Sequence, residues 1–127
     1  MLFRSSGGFD FMTRPVAELC GFHNHHANHL HVDDGKILGT VETPVLDQRA
    51  KASYLEHYCK VHDIDIREAV TIGDGANDLA MLKGAGMGVA FAGKPILCDA
   101  ISTQLNHTDL RGLLYLQGYH KENFISE

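Results

Sequence analysis

At 127 residues with 44% apolar content, the chain fits one domain with a modest core and is too apolar for a disordered segment. A net charge of −5, with 11 Lys and Arg dispersed among 16 Asp and Glu, argues against an electrostatic nucleic-acid footprint. Cys20, Cys59 and Cys98 are odd in number and form no CxxC pair, and neither a membrane-length apolar run nor a signal-peptide pattern is present; the expectation is a reduced, cytoplasmic setting with no membrane partner.

In chain order, Met1 to Ser6 reads as the tail of a strand, Gly7-Gly8 as a turn, and Phe9 to Leu19 as a helix closed by Gly21. Ser6 is expected to cap that helix. Its hydroxyl and the Gly7 and Gly8 amides would then form an anion site at a helix N-terminus, or a plain surface cap, which local pattern favours. Phe22 to Val32 holds five of the nine histidines. A metal site within 23–31 is one reading, but no cysteine or carboxylate completes a known spacing, so an exposed loop leading into a strand is preferred. Asp33-Asp34-Gly35-Lys36 looks like a hairpin turn between Leu30–Val32 and Ile37–Val41.

Pro44 marks a break, and Asp47 to His62 carries Ala50, Tyr54, Leu55, Tyr58 and Val61 at near-helical spacing. Lys51, in the first turns of that helix, is either solvated or a point charge for a phosphate oxygen. The apolar run Ala69 to Ile72 then reads as a strand buried on both faces, with Gly73 and Gly75 bracketing Asp74 where it ends. A carboxylate is thereby set at the carboxyl edge of a sheet, where open α/β folds bind ligands. Asn77 and Asp78 suit a helix start, and two aspartates four residues apart around a bend suggest a cation site. Met87 to Phe91 predicts another buried strand, Ile96 to Ala100 a short helix, and Ile101 to Asn106 a short strand. Asp109 is expected to cap a last helix, Leu110 to Gln117, whose leucines seal an edge of the core, before a frayed tail from His120 to Glu127. Strands alternating with helices predict an α/β fold with a mostly parallel sheet and helices on both faces.

Gly73-Asp74-Gly75-Ala76-Asn77-Asp78-Leu79-Ala80-Met81-Leu82 resembles the fourth motif of the haloacid-dehalogenase-like phosphatases. Ser6-Gly7-Gly8-Phe9, Asp47 to Lys51, Gly88 to Phe91 with Lys94-Pro95, and Asn106 to Leu110 with Leu113-Leu114-Tyr115 resemble the phosphoserine phosphatase branch, in order, over almost the whole chain. The glycine pattern fails the dinucleotide fingerprint, since Asp78 stands where a third glycine is needed. The resemblance implies a Rossmann-like core, residues 1–127, carrying motifs two, three and four. It implies Ser6 and Gly7 as binders of the transferring phosphoryl group, Lys51 as its neutralising cation, and Asn77 beside it. Asp74 becomes a Mg²⁺ ligand, and Asp78 a supporting carboxylate that orients the loop and Lys51. The substrate implied is a small phosphomonoester, O-phosphoserine.

In this family the nucleophile and general acid lie in a DxDxT motif on a central first strand, and the sequence contains no DxDxT. The helical cap that selects the serine moiety has no counterpart either. The expectation is a core incomplete at its central strand, inactive alone, that closes the gap by rearrangement, pairs with a complementary N-terminal chain or another copy, or is marginal and aggregation-prone. Two further readings are a non-catalytic module binding cation, phosphate or such a chain, and a phosphatase of the same superfamily with another substrate.

Overall fold

Asn28 decides how the N-terminal part folds. Its amide donates to the Gly7 carbonyl at 3.0 Å, and its Oδ1 accepts from the Leu46 N–H at 2.7 Å, so one buried side chain satisfies a strand carbonyl and a loop amide. The computed structural model describes residues 2–125. In it strand β1 (Phe3–Phe9) runs through Gly7 and Gly8, where a turn is expected, and pairs in parallel with β2 (Asn24–Asn28). Helix α1 (Asp10–Cys20) starts after Phe9, which offers no side-chain cap, and ends on Gly21 in the left-handed conformation, φ 70°. Ser6 is therefore not a helix cap; it lies in the strand, and its Oγ accepts from the Gly8 N–H at 3.1 Å.

β2 replaces the expected histidine-rich loop. Its side chains alternate: His25 meets Thr13 of α1 at 3.2 Å, while His26 stacks on Tyr54 and meets the Tyr58 hydroxyl at 2.6 Å. The predicted hairpin forms from β3 (Leu30–Asp33) and β4 (Lys36–Val41), with Asp34 and Gly35 both at positive φ in the turn. Helix α2 (Gln48–Val61) follows Asp47, whose Oδ1 accepts from the Arg49 and Ala50 amides.

Next come a 3-10 turn (Ile66–Glu68), β5 (Val70–Gly73), a 3-10 turn (Ala76–Asp78) and α3 (Leu79–Gly84). β6 (Met87–Phe91), α4 (Pro95–Ala100), β7 (Gln104–Leu105), α5 (Arg111–Leu116) and a last 3-10 turn (Lys121–Asn123) complete the described chain. β5, β6 and β7 form one parallel sheet in that order. Its core is Met81, Leu82, Val89, Ala90, Leu97 and Ile101.

β7 is shorter than expected because Ile101 closes α4, its N–H donating to Leu97 O. The leucines of α5 do not seal a core: Leu110, Leu114 and Leu116 are exposed, and Gly112 is the buried position. Asp109 does cap the helix: its Oδ1 accepts from the Arg111 N–H at 2.9 Å, and its carboxylate pairs with the Arg111 guanidinium. The tail is not frayed as far as described, since Phe124 packs on Tyr115 with ring centroids 5.0 Å apart; its last two residues, like Met1, lie outside the described residues.

The chain divides into two compact units, 1–58 and 59–127, with the boundary inside α2. The described strands form three sheets, β1-β2, β3-β4 and β5-β6-β7, the first and last of them parallel. No helix among the described residues is long and apolar enough to cross a membrane.

Candidate functional site

In the second unit, β5 delivers Asp74 to its carboxyl end, and the next four residues fold back on it. Asp78, 4% exposed, directs Oδ2 at the Asp74 and Gly75 amides, 3.0 and 3.1 Å away, while its own N–H donates to Gly75 O at 2.9 Å. A buried carboxylate is thereby satisfied by two amide donors. The glycines follow from this packing. A Cβ on Gly73 would lie 2.5 Å from Asp78 side-chain atoms, and one on Gly75 would lie 2.6 Å from Asn77 Oδ1.

Asp74 and Asn77 are exposed, so the loop points a carboxylate and an amide outward over a backbone fixed from below. This donor set suits Mg²⁺, a hard cation that keeps several waters and takes one or two carboxylates plus phosphate oxygens. Asp78 is turned inward and serves the loop, so Asp74 is the outward-facing carboxylate of the pair. Among the described residues no group of three or more His, Cys, Asp or Glu is placed to hold a metal, so the fit rests on Asp74 with further ligands from water, phosphate or another segment.

The sequence's DxD pair, Asp63 and Asp65, belongs to the opposite end of β5. Asp65 accepts from the Arg67 amide and forms a fork with its guanidinium, 2.6 Å at the shortest, which holds its carboxyl below the usual range. A four-residue strand of about 13 Å separates that end from Asp74, so Asp65 is no substitute nucleophile for this loop.

The other predicted residues lie in the first unit. Ser6 is half-buried on β1 and accepts from the Gly8 amide, which leaves its O–H to donate. Gly7 is exposed, and a Cβ there would meet nothing within 4 Å. Lys51 is half-buried in the first turns of α2. The structure thus brings Asp74, Asn77 and Asp78 together in one loop, and places Ser6, Gly7 and Lys51 in the other unit.

The histidines take partners one by one. His29 meets Asp10 at 2.8 Å, holding its carboxyl below the usual range, and His31 meets Thr40 at 2.9 Å. Burial lowers the pKa of His26. Asp10, Arg14, His25, His29 and Glu42 line an open groove of about 380 Å³. Sequence reasoning missed Lys94, whose N–H donates to Asp74 O at 3.1 Å; the only signal was the Lys94-Pro95 pair at a strand exit.

The family profile of haloacid dehalogenase-like hydrolases matches residues 6–83, more than half of the chain. The chain belongs to this family. A phosphoserine phosphatase of Methanocaldococcus jannaschii is 42% identical over 109 residues, covering 86% of this chain and 52% of its own length. A probable phosphoserine phosphatase structure from Vibrio cholerae superposes with a TM-score of 0.87 at 31% identity, over 91% of this chain and 36% of its own. A phospho-aspartyl intermediate analogue of phosphoserine phosphatase gives a TM-score of 0.83 at 40% identity, over 90% of this chain and 55% of its own. This haloacid dehalogenase-like chain therefore spans about half or less of the length of these relatives. The predicted α/β class with parallel strands and helices agrees with their structures.

Proposed function

We propose that the chain is the phosphate-handling and Mg²⁺-binding portion of a phosphoserine phosphatase, serving hydrolysis of O-phospho-L-serine to L-serine and phosphate in serine biosynthesis. The observation that carries this is the Asp74 loop: one exposed carboxylate at a strand's carboxyl end, backed by a buried Asp78 that grips its amides. The 42% identity to a phosphoserine phosphatase supports the substrate.

Phosphoryl transfer depends on positioning and charge neutralisation, and the proposed roles follow from residue chemistry. The Ser6 O–H and the Gly7 N–H donate to phosphoryl oxygens. Lys51 offsets their charge as a point cation. Asn77 is a further donor for the phosphoryl group, and Asp78 keeps Asp74 in place. Mg²⁺, when bound at Asp74, supplies Lewis-acid polarisation of a phosphoryl oxygen. The step still needs an attacking group. A phospho-aspartyl analogue of a relative supports an aspartate that bonds to phosphorus as the P–O bond to serine breaks and the leaving oxygen takes a proton. Water then attacks phosphorus and frees the carboxylate.

Since these 127 residues contain no DxDxT, we infer that this aspartate comes from a complementary segment. Two features support a strand-donating partner. β1 and β2 form a parallel sheet of only two strands, and β5 is an edge of its own sheet. Ser5 Oγ on β1 and Thr71 Oγ1 on β5 are buried without hydrogen-bond partners among the described residues.

The experiment is phosphate release from O-phosphoserine with Mg²⁺. The chain alone should give none above buffer. Mixing with a separately expressed segment that carries a DxDxT motif should restore turnover, and Lys51→Ala should lower that turnover by about 10²-fold or more. Turnover by the chain alone, abolished in Asp74→Asn, would place a nucleophile among these residues and overturn the need for a partner. If no mixture turns over, the substrate assignment fails.

A further inference from the structure

Asp74 is held at both of its peptide groups. Its N–H donates to Asp78 Oδ2 at 3.0 Å, and its carbonyl accepts from the Lys94 N–H at 3.1 Å. The second hold comes from the turn between β6 and α4, which is itself fixed several times over. Ala92 sits at φ 43°, in the left-handed region that a Cβ disfavours, with its N–H donating to Leu105 O at 2.9 Å. Gly93 O accepts from Cys98 Sγ at 3.3 Å, and a Cβ on Gly93 would lie 3.3 Å from that of Ala90. Lys94 O receives the Leu97 and Cys98 amides at 2.8 and 3.1 Å, opening α4 with Pro95 in its first turn. A turn anchored on its own side at this many points has little freedom to follow Asp74.

We propose that the Lys94 peptide N–H is a positioning group for the phosphoryl-transfer reaction: it fixes the peptide plane of Asp74 so that the carboxylate is preset for Mg²⁺. The inference rests on Asp74 as the Mg²⁺ carboxylate. Asp78 holds the loop from below and Lys94 holds it from the turn between β6 and α4, so that Asp74 is clamped between the turns that follow β5 and β6. The Lys94 side chain is exposed and has no part in the clamp. A ligand preset in this way loses less freedom when the cation arrives.

The backbone offers a selective test. Lys94 has φ −64° and ψ 155°, a conformation that proline adopts and that the residue before Pro95 requires. Lys94→Pro therefore removes the N–H while keeping the chain's path, and Lys94→Ala retains the N–H without the ammonium. The readout is Mn²⁺ titration followed by paramagnetic broadening of the Gly75 and Ala76 amides. Lys94→Pro should weaken Mn²⁺ about 3- to 10-fold, the worth of one hydrogen bond. Lys94→Ala should stay within about twofold, as expected for removal of an exposed charge.

Mn²⁺ contact in the unsubstituted chain that is equally strong in Asp74→Asn, or missing altogether, overturns the metal reading and this inference with it. Mn²⁺ contact that depends on Asp74 but survives Lys94→Pro unchanged overturns the inference alone. Should Lys94→Pro fail to fold, amide hydrogen exchange in the unsubstituted chain decides. The Lys94 N–H should be as protected as those of β6 and slow further with Mg²⁺. Free exchange that ignores Mg²⁺ overturns the proposal.

Discussion

Thr71, on β5 three residues before Asp74, has a buried hydroxyl with no hydrogen-bond partner among the described residues. An orphaned polar group is destabilising because it leaves water without compensation. Thr71→Val keeps the shape and β-branching and removes the orphan, so it should stabilise the chain by about 1 kcal/mol. Urea unfolding with an unchanged m-value reads this directly, and a loss of stability would mean that the hydroxyl has a partner in solution. At this scale the sequence reveals chemistry better than direction. Asp74 and Asp78 are both legible as carboxylates around a bend. That Asp78 turns inward to the Asp74 and Gly75 amides while Asp74 faces out follows from the loop's three-dimensional path. Ser6 reads as a helix cap because the competing group, Asn28, is 22 residues away in sequence, and only pairing of β1 with β2 brings its amide to Gly7.

Elements with strong periodicity and clear punctuation are legible in the amino-acid sequence itself: α2 after Asp47, the β3–β4 hairpin, β5, β6 and α4 all lie near their expected bounds. β2 is not, because Asn-His-His-Ala-Asn has no β-branched residue; it is a strand because Thr13 lies on one side of it and Tyr54 and Tyr58 on the other. The close approach of β6 to its neighbours is likewise invisible in composition. A Cβ on Gly88 would run into the Leu82 backbone carbonyl, and one on Gly86 into the Arg67 carbonyl, neither of which can rotate away. Gly88→Ala should therefore force α3 off β6, around the buried Leu82 and Val89, and cost about 2–4 kcal/mol. Chemical denaturation checks the cost, and a near-neutral result would show that α3 packs more loosely than described. Gly7→Ala is the contrast: its Cβ would meet open space, so that substitution should leave the fold intact.

For the whole molecule, the governing fact is how much apolar surface the described chain leaves uncovered. Along α1, Phe11, Met12, Val16 and Leu19 are exposed, Leu19 to 88%, and the hairpin adds Val32, Ile37 and Leu38. Two strands alone give little independent stability, and these two-stranded sheets end in unpaired edges. Buried orphan hydroxyls subtract further from a typical domain stability of about 5–15 kcal/mol. A chain with these properties gains free energy by covering α1 and its strand edges, with a complementary segment when one is present and with other copies when it is not. The expected outcome for the purified chain is concentration-dependent association at about 10–100 µM, seen as rising sedimentation coefficients. Met12→Lys with Leu19→Lys should reduce that association while leaving the far-ultraviolet circular dichroism unchanged, because both side chains are exposed on the same helix. Adding the DxDxT-bearing segment should reduce it too, and raise the unfolding temperature as the segment is titrated, since a partner that binds only the folded chain stabilises it by mass action. A monodisperse monomer over that whole range, unfolding in one steep transition at high temperature, would mean that the chain completes its own core, and the need for a strand-donating partner would fall with it.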